Sequence, residues 1–249
     1  MTGTSQSTAG RRRRARHVLI FTGVCAALIG IVLAGSAAGA RNAKVLGKTR
    51  HTPAPDCPKH CQGVGRVTGF PLVADGKKRP FNVRRNGKLV AFALSLSRPN
   101  KDQRKFFGTI FKAGMFGKDP SARLAVIKRK RRHQYKLLRQ SPGVNLSGAL
   151  GRKQIITLDK PLAVKKGQIV ALTYPSWAPN FAHKGLSAQD DKWRASRVGS
   201  KCAPKSGETG AVKRWAQTSR PHQRIRSVRS YGCDYRRGRL LYWAYFVPS

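Results

Sequence analysis

The clearest pattern along the chain is a stretch of alternation. From Leu89 to Ser97, the large apolar residues Val90, Phe92, Leu94 and Leu96 alternate with Ala91, Ala93, Ser95 and Ser97. A β-strand through this segment turns a bulky face to one side and a small-residue face to the other, as in a sheet packed against a second sheet. Shorter runs of the same kind recur. Val64, Val67, Phe70 and Leu72 stand among glycines between Gly63 and Val73 and predict a first strand. Phe81-Asn82-Val83 precedes Asn86-Gly87, the dipeptide that most readily closes a two-residue hairpin. Phe106 to Phe111 reads as another strand, and the glycines and Pro120 after it mark a loop.

Further along, Ala122 to Ile127 and Tyr135 to Leu138 flank the run Lys128-Arg129-Lys130-Arg131-Arg132-His133, which parses as a hairpin with a strongly basic tip. Ser141-Pro142-Gly143 turns the chain, and Gln154 to Leu158 and Ile169 to Tyr174 are strands around the turn Lys165-Lys166-Gly167-Gln168. From Pro175 to Tyr231 the pattern loosens, predicting a long, partly ordered excursion tied down at Cys202. Gly238 to Val247 is apolar on both faces, which suits a central strand buried on both sides. No long stretch has apolar residues at i, i+3, i+4 and i+7, so helix is minor. The expected fold is all-β: an antiparallel two-sheet sandwich, jelly-roll-like, behind an N-terminal hydrophobic export helix.

That helix is read from Arg11-Arg12-Arg13-Arg14-Ala15-Arg16, the apolar run Val18 to Leu33 and the small residues through Ala40. Arginines resist crossing a bilayer while an apolar helix enters one, so this order sends the remainder of the chain outside. Two outcomes stay open. Ala38-Gly39-Ala40 is an A-x-A motif at which a signal peptide could be cut, releasing the product. Uncut, residues 18–40 remain as a single membrane anchor. The predicted organisation is 1–40 as signal peptide or anchor, 41–56 as a basic, proline-containing tether and 57–249 as the β-sandwich domain.

Charge narrows the partners. The chain has 51 Lys and Arg against nine Asp and Glu, a formal net charge of +42. Residues 1–40 hold five of the arginines and no acid, so removing them leaves 46 against nine, or +37. Such a surface attracts polyanions, and outside a bacterium these are wall phosphate polymers, acidic polysaccharides, anionic lipid headgroups or stray nucleic acid, with no specific nucleic-acid target; the alternative is a composition bias that selects no partner. The tip residues Lys128, Arg129, Lys130, Arg131 and Arg132 are the candidate polyanion contacts. A second candidate is the proline-stiffened loop Tyr174-Pro175-Ser176-Trp177-Ala178-Pro179-Asn180-Phe181. Its aromatics Tyr174, Trp177 and Phe181 either offer a stacking platform for a sugar or fold back to plug the core.

Outside the apolar run there are four cysteines, Cys57, Cys61, Cys202 and Cys233. An even number in an oxidising compartment implies two disulfides, with three connectivities open; proximity favours Cys57 with Cys61 and Cys202 with Cys233. A zinc site built on Cys57, His60, Cys61 and a distant cysteine is the rival, but zinc fingers use a second short-spaced pair, whereas Cys202 and Cys233 are 31 apart. No cofactor is implied. There is no H-E-x-x-H pattern, no G-x-S-x-G elbow and no C-x-x-C. The nine acids include no evident glycosidase pair. Enzyme activity is therefore unsupported, with a carbohydrate-active hydrolase as the alternative to non-catalytic binding.

Three stretches also carry a resemblance: Ala122 to Ile127 with Ser141-Pro142, Pro161 to Pro179, and Trp193 to Arg197. They resemble an uncharacterised family of exported actinobacterial β-sandwich proteins, over most of residues 64–247. The resemblance implies a sandwich fold and no particular activity or site residue.

Overall fold

The computed structural model describes residues 43–57, 61–112, 116–203 and 223–249. The export segment read into residues 1–40, with Cys25, lies outside them, as do His60, Glu208, Trp215 and His222. Among the described residues no helix is long and apolar enough to cross a membrane.

The elements begin with β1 (Lys44–Leu46), β2 (Val64–Gly65), β3 (Thr68–Ala74), β4 (Lys77–Lys78), β5 (Gly87–Ser95) and the helix α1 (Lys101–Phe111). They continue with β6 (Ser121–Arg131), β7 (Gln134–Gln140), β8 (Val144–Asn145), β9 (Lys153–Val164) and β10 (Ile169–Thr173). The short strands β11 (Trp177–Ala178), β12 (Phe181–Ala182) and β13 (Lys192–Ala195) follow. Last come β14 (Val228–Ser230), β15 (Cys233–Arg236), β16 (Arg239–Leu240) and β17 (Tyr242–Pro248). Neighbouring strands pair antiparallel. A four-stranded sheet has the order β1-β17-β5-β9. A curled nine-stranded sheet runs β14-β7-β6-β10-β3-β13-β15, with β4 beside β3 and β8 beside β6. Two ribbons, β2 with β11 and β12 with β16, complete the pairing.

The alternation in β5 holds from Phe92 onward, but a register shift between Leu89 and Ala91 puts Leu89 in the core and leaves Val90 half-buried. Phe92, Leu94 and Leu96 are buried, and the small residues Ala91 and Ala93 are buried as well, with β9 and β17 paired on either side. Phe92 and Leu94 share one apolar cluster with Leu124 and Val126 of β6, Val170 and Leu172 of β10, and Tyr242 and Ala244 of β17, so both large sheets contribute to a single core. Phe81 stacks on Tyr242 with ring centroids 4.1 Å apart. At roughly 25 cal/mol per Å2 of apolar area, each such fully buried ring or branched chain contributes about 1.5–3 kcal/mol.

Four expectations are corrected. Phe106 to Phe111 is helical, not extended. Asn100 caps α1 through Gln103 in a reciprocal capping box, and Phe107, Ile110 and Phe111 fall on the one face that is buried. Asn86-Gly87 makes no hairpin: Gly87 opens β5 between Val164 of β9 and Pro248 of β17, and Asn82 bridges instead to Ile169. The tight hairpin is at Asp75-Gly76, whose φ angles of 53° and 71° suit a type I′ turn joining β3 to β4. Residues 41–56 are not a simple tether, because β1 pairs with β17 and Asp56 is buried. Finally, β17 is central, between β1 and β5, but Tyr242, Ala244 and Phe246 are buried while Trp243, Tyr245 and Val247 are half-exposed.

The cysteines form Cys57–Cys61 and Cys202–Cys233. Between Pro175 and Tyr231 the described residues are more regular than their pattern suggested, holding the short strands β11 to β14.

Candidate functional site: a cationic hairpin

The basic run is a hairpin, as its flanking strands predict, but its cations sit on strand rather than turn. β6 continues through Arg131, and only Arg132 and His133 separate it from Gln134, where β7 starts. His133 adopts φ 59°, the left-handed conformation that lets so short a loop reverse the chain. The carbonyl of His133 accepts the Tyr231 N–H at 2.6 Å, which fixes the turn from the end of β14. That edge is braced further. Gln223 donates through Nε2 to the Tyr135 and Ser227 carbonyls at 3.2 and 2.8 Å and accepts from the Tyr231 hydroxyl at 3.0 Å.

The register then decides which cations share a face. Lys128 lies directly opposite Lys136, which in turn faces Val228 of β14; Arg129 lies opposite Tyr135, which faces Arg229. A register shift between Arg129 and Arg131 makes Lys130 the extra residue of a bulge. Directly opposed residues in an antiparallel pair have Cβ atoms about 4.5–5.5 Å apart, so Lys128 and Lys136 repel at close range. Lys128, Arg129, Lys130, Arg131 and Arg132 are all exposed, and Arg224 and Arg226 extend the cationic surface along the neighbouring edge. Among the described residues, none of Lys128 to Arg132 has an ion-pair partner.

Several of the carboxylates are engaged elsewhere in the fold. Asp234 takes Arg194 in a two-pronged pair at 2.6 and 2.8 Å, with Lys192 at 3.3 Å. Burial alone would raise the Asp234 carboxyl, but the Arg194 hydrogen bonds and the Lys192 charge outweigh it and hold the group below its ordinary value. Asp191 is paired with the buried Arg239 at 2.5 Å, and Arg239 also donates to the His51 carbonyl at 2.7 Å. Asp75 accepts the His51 backbone N–H at 2.9 Å, the largest cause of its lowered pKa. Asp102 and Asp119 line a polar groove beside α1, surrounded by Lys101, Arg104, Lys105 and Lys118, and Asp119 accepts from Asn145 at 3.1 Å.

The aromatic loop divides. Tyr174 is fully buried and Trp177 is 1% exposed, so neither offers a ring face to a ligand. Trp177 packs on Phe107 of α1 with centroids 5.0 Å apart and donates its indole N–H to the Lys118 carbonyl at 2.7 Å. Burial lifts the Tyr174 hydroxyl well above its ordinary pKa, only partly offset by Asn180. The physical reason is α1, which sequence alone did not reveal: its apolar face needs a cover, and Trp177 supplies it. Phe181 alone stays half-buried, on the wall of a separate cavity.

No family model, curated protein or solved structure matches the chain. What defines it is the combination described: a mostly β, disulfide-bridged, strongly basic protein with an unneutralised cationic hairpin.

Proposed function

We propose that this is an exported or membrane-tethered protein of the two-sheet, jelly-roll type that binds an anionic polymer of the cell envelope and catalyses nothing on it. The observation that carries the reading is the opposed pair Lys128 and Lys136 within a run of exposed cations without acidic partners. Like charges placed directly across a strand pair cost stability, and a polyanion lying along the hairpin reverses the sign of that interaction. Two disulfides support a location in an oxidising compartment, and the arginine, apolar and small-residue order of residues 11–40 supports export. The likeness to exported actinobacterial β-sandwich proteins belongs to the same reading.

The test is retention on immobilised long-chain polyphosphate as a function of salt. Five phosphate contacts imply a log–log slope of about −3.5 to −4.5, at roughly 0.7–0.9 per contact. Between 50 and 200 mM salt the steeper value is about a 500-fold loss of affinity. Arg129→Glu with Arg131→Glu should flatten the slope by about 1.4–1.8. An unchanged slope in that variant removes the hairpin as the contact surface, and equal retention on neutral dextran removes the polyanion.

A further inference from the structure

Opposite in character to the hairpin is a cavity of about 350 Å3 between β2, the end of α1 and the strands β12, β13 and β15. Its volume is that of a small-molecule site. The rings of Phe111, Phe181, Trp193 and Tyr235 wall it. They are ordered against one another: Trp193 stacks on Tyr235 at 4.5 Å, and Phe181 meets Trp193 edge-on at 6.0 Å. Gly65 makes room for Phe111, because a Cβ there would collide with the ring and with the Ser176 carbonyl.

Among the described residues the charged lining is cationic, with no carboxylate in it. Arg197, Arg236 and Arg237 border the space. Arg197 is 4% exposed; burial lowers its pKa to about 10, with Tyr235 opposing the shift and Arg66 adding to it, so it stays charged at neutral pH in a site that disfavours the charge. His183 also lines the cavity. Its Nδ1 and its backbone N–H both meet Asp56 Oδ2 at 2.5 Å, which fixes the ring and leaves Nε2 as its remaining polar atom. Trp193 is 6% exposed, and its Nε1 has no hydrogen-bond partner. That atom is closed off beside Gly238, so Trp193 presents its ring, and not its N–H, to the space.

We propose that this cavity binds a small amphipathic anion. Its aromatic or short acyl body lies among the four rings, and its carboxylate, sulfonate or phosphate head meets the arginines. The ring faces supply apolar area, and the guanidinium groups supply charge-assisted hydrogen bonds. This site is separate from the hairpin and does not rest on the polymer reading.

The probe is anilinonaphthalene sulfonate, an aromatic anion, compared with the uncharged phenylnaphthylamine, both titrated by fluorescence into the full chain. One saturable sulfonate site per chain is expected, at least about tenfold tighter than the amine, since one charge-assisted hydrogen bond is worth about that factor. Arg236→Gln with Arg237→Asn should erase the tenfold preference without altering amine binding. Both positions are exposed and therefore safe for folding, and Asn tolerates the φ of 55° at residue 237. Equal affinity for the two probes overturns the anion preference. Loss of sulfonate binding in Arg129→Glu/Arg131→Glu protein, with none in the cavity variant, overturns the location.

Discussion

The Cys202–Cys233 bridge spans a sequence separation of 31, against four for Cys57–Cys61, and that difference makes a quantitative prediction. A cross-link stabilises mainly by restricting the unfolded chain, with an entropy of about −2.1 − 1.5R ln n cal/mol/K for a loop of n residues. At 25 °C this gives about 3.7 kcal/mol for the long loop and about 1.9 kcal/mol for the short one. Mutating Cys233 directly would mix in a packing loss, because its sulfur is fully buried in the core. The cleaner perturbation starts from Cys57→Ala/Cys61→Ala protein, in which added reductant breaks the long bridge alone and keeps every sulfur atom. Guanidinium unfolding followed by tryptophan fluorescence, with and without reductant, reads the difference. The denaturant dependence should steepen on reduction as the unfolded chain expands. A loss below about 1 kcal/mol would refute the chain-entropy account of this bridge, as would a loss no larger than that from deleting Cys57–Cys61.

Lys136→Glu replaces a repulsive cross-strand pair by an attractive one, so it should raise stability by about 0.5 kcal/mol while lowering polyphosphate affinity. A denaturation curve and a retention profile on the same protein check both signs, and a stability loss would refute the repulsion. The depressed pKa of Asp234 means that its contribution is present above the unfolded value of 3.8 and is lost as pH falls through the folded one. Asp234→Asn should therefore destabilise at pH 7, and its deficit should shrink below about pH 4; urea midpoints at pH 7 and pH 3 test this, and a constant deficit counts against it.

The residues show why some of this was readable and some was not. The β5 alternation, the basic hairpin and the turn at Lys165 to Gln168 are local patterns, and local patterns survive into structure. α1 was written just as locally, in Asn100 with Gln103 and in Phe107, Ile110 and Phe111, but one buried face over three turns is brief enough to be read as an aromatic strand. Asn86-Gly87 misled for another reason. Gly87 serves the close approach of β17, since a Cβ there would strike the Val247 carbonyl, whereas Asp75-Gly76 carried the same turn signal and was the true hairpin. The cavity was invisible in one dimension. His183 and Asp56 are 127 residues apart, and the ring walls come from four separate elements. Of its residues only Phe181 was a candidate for ligand contact in the sequence, as part of a platform from which Tyr174 and Trp177 are withdrawn by burial.

The position of β17 bears on how the molecule is made. Lys44 of β1 finds its partner in Phe246, and among the described residues β17 is the one neighbour of β1 in its sheet. A ribosome delivers residue 44 long before residue 246, so the leading segment must wait, single-stranded and adhesive, until nearly the whole polypeptide has appeared. Closure of that sheet is thus a late event in biogenesis, and a stalled or truncated product would leave an open edge for other chains to join.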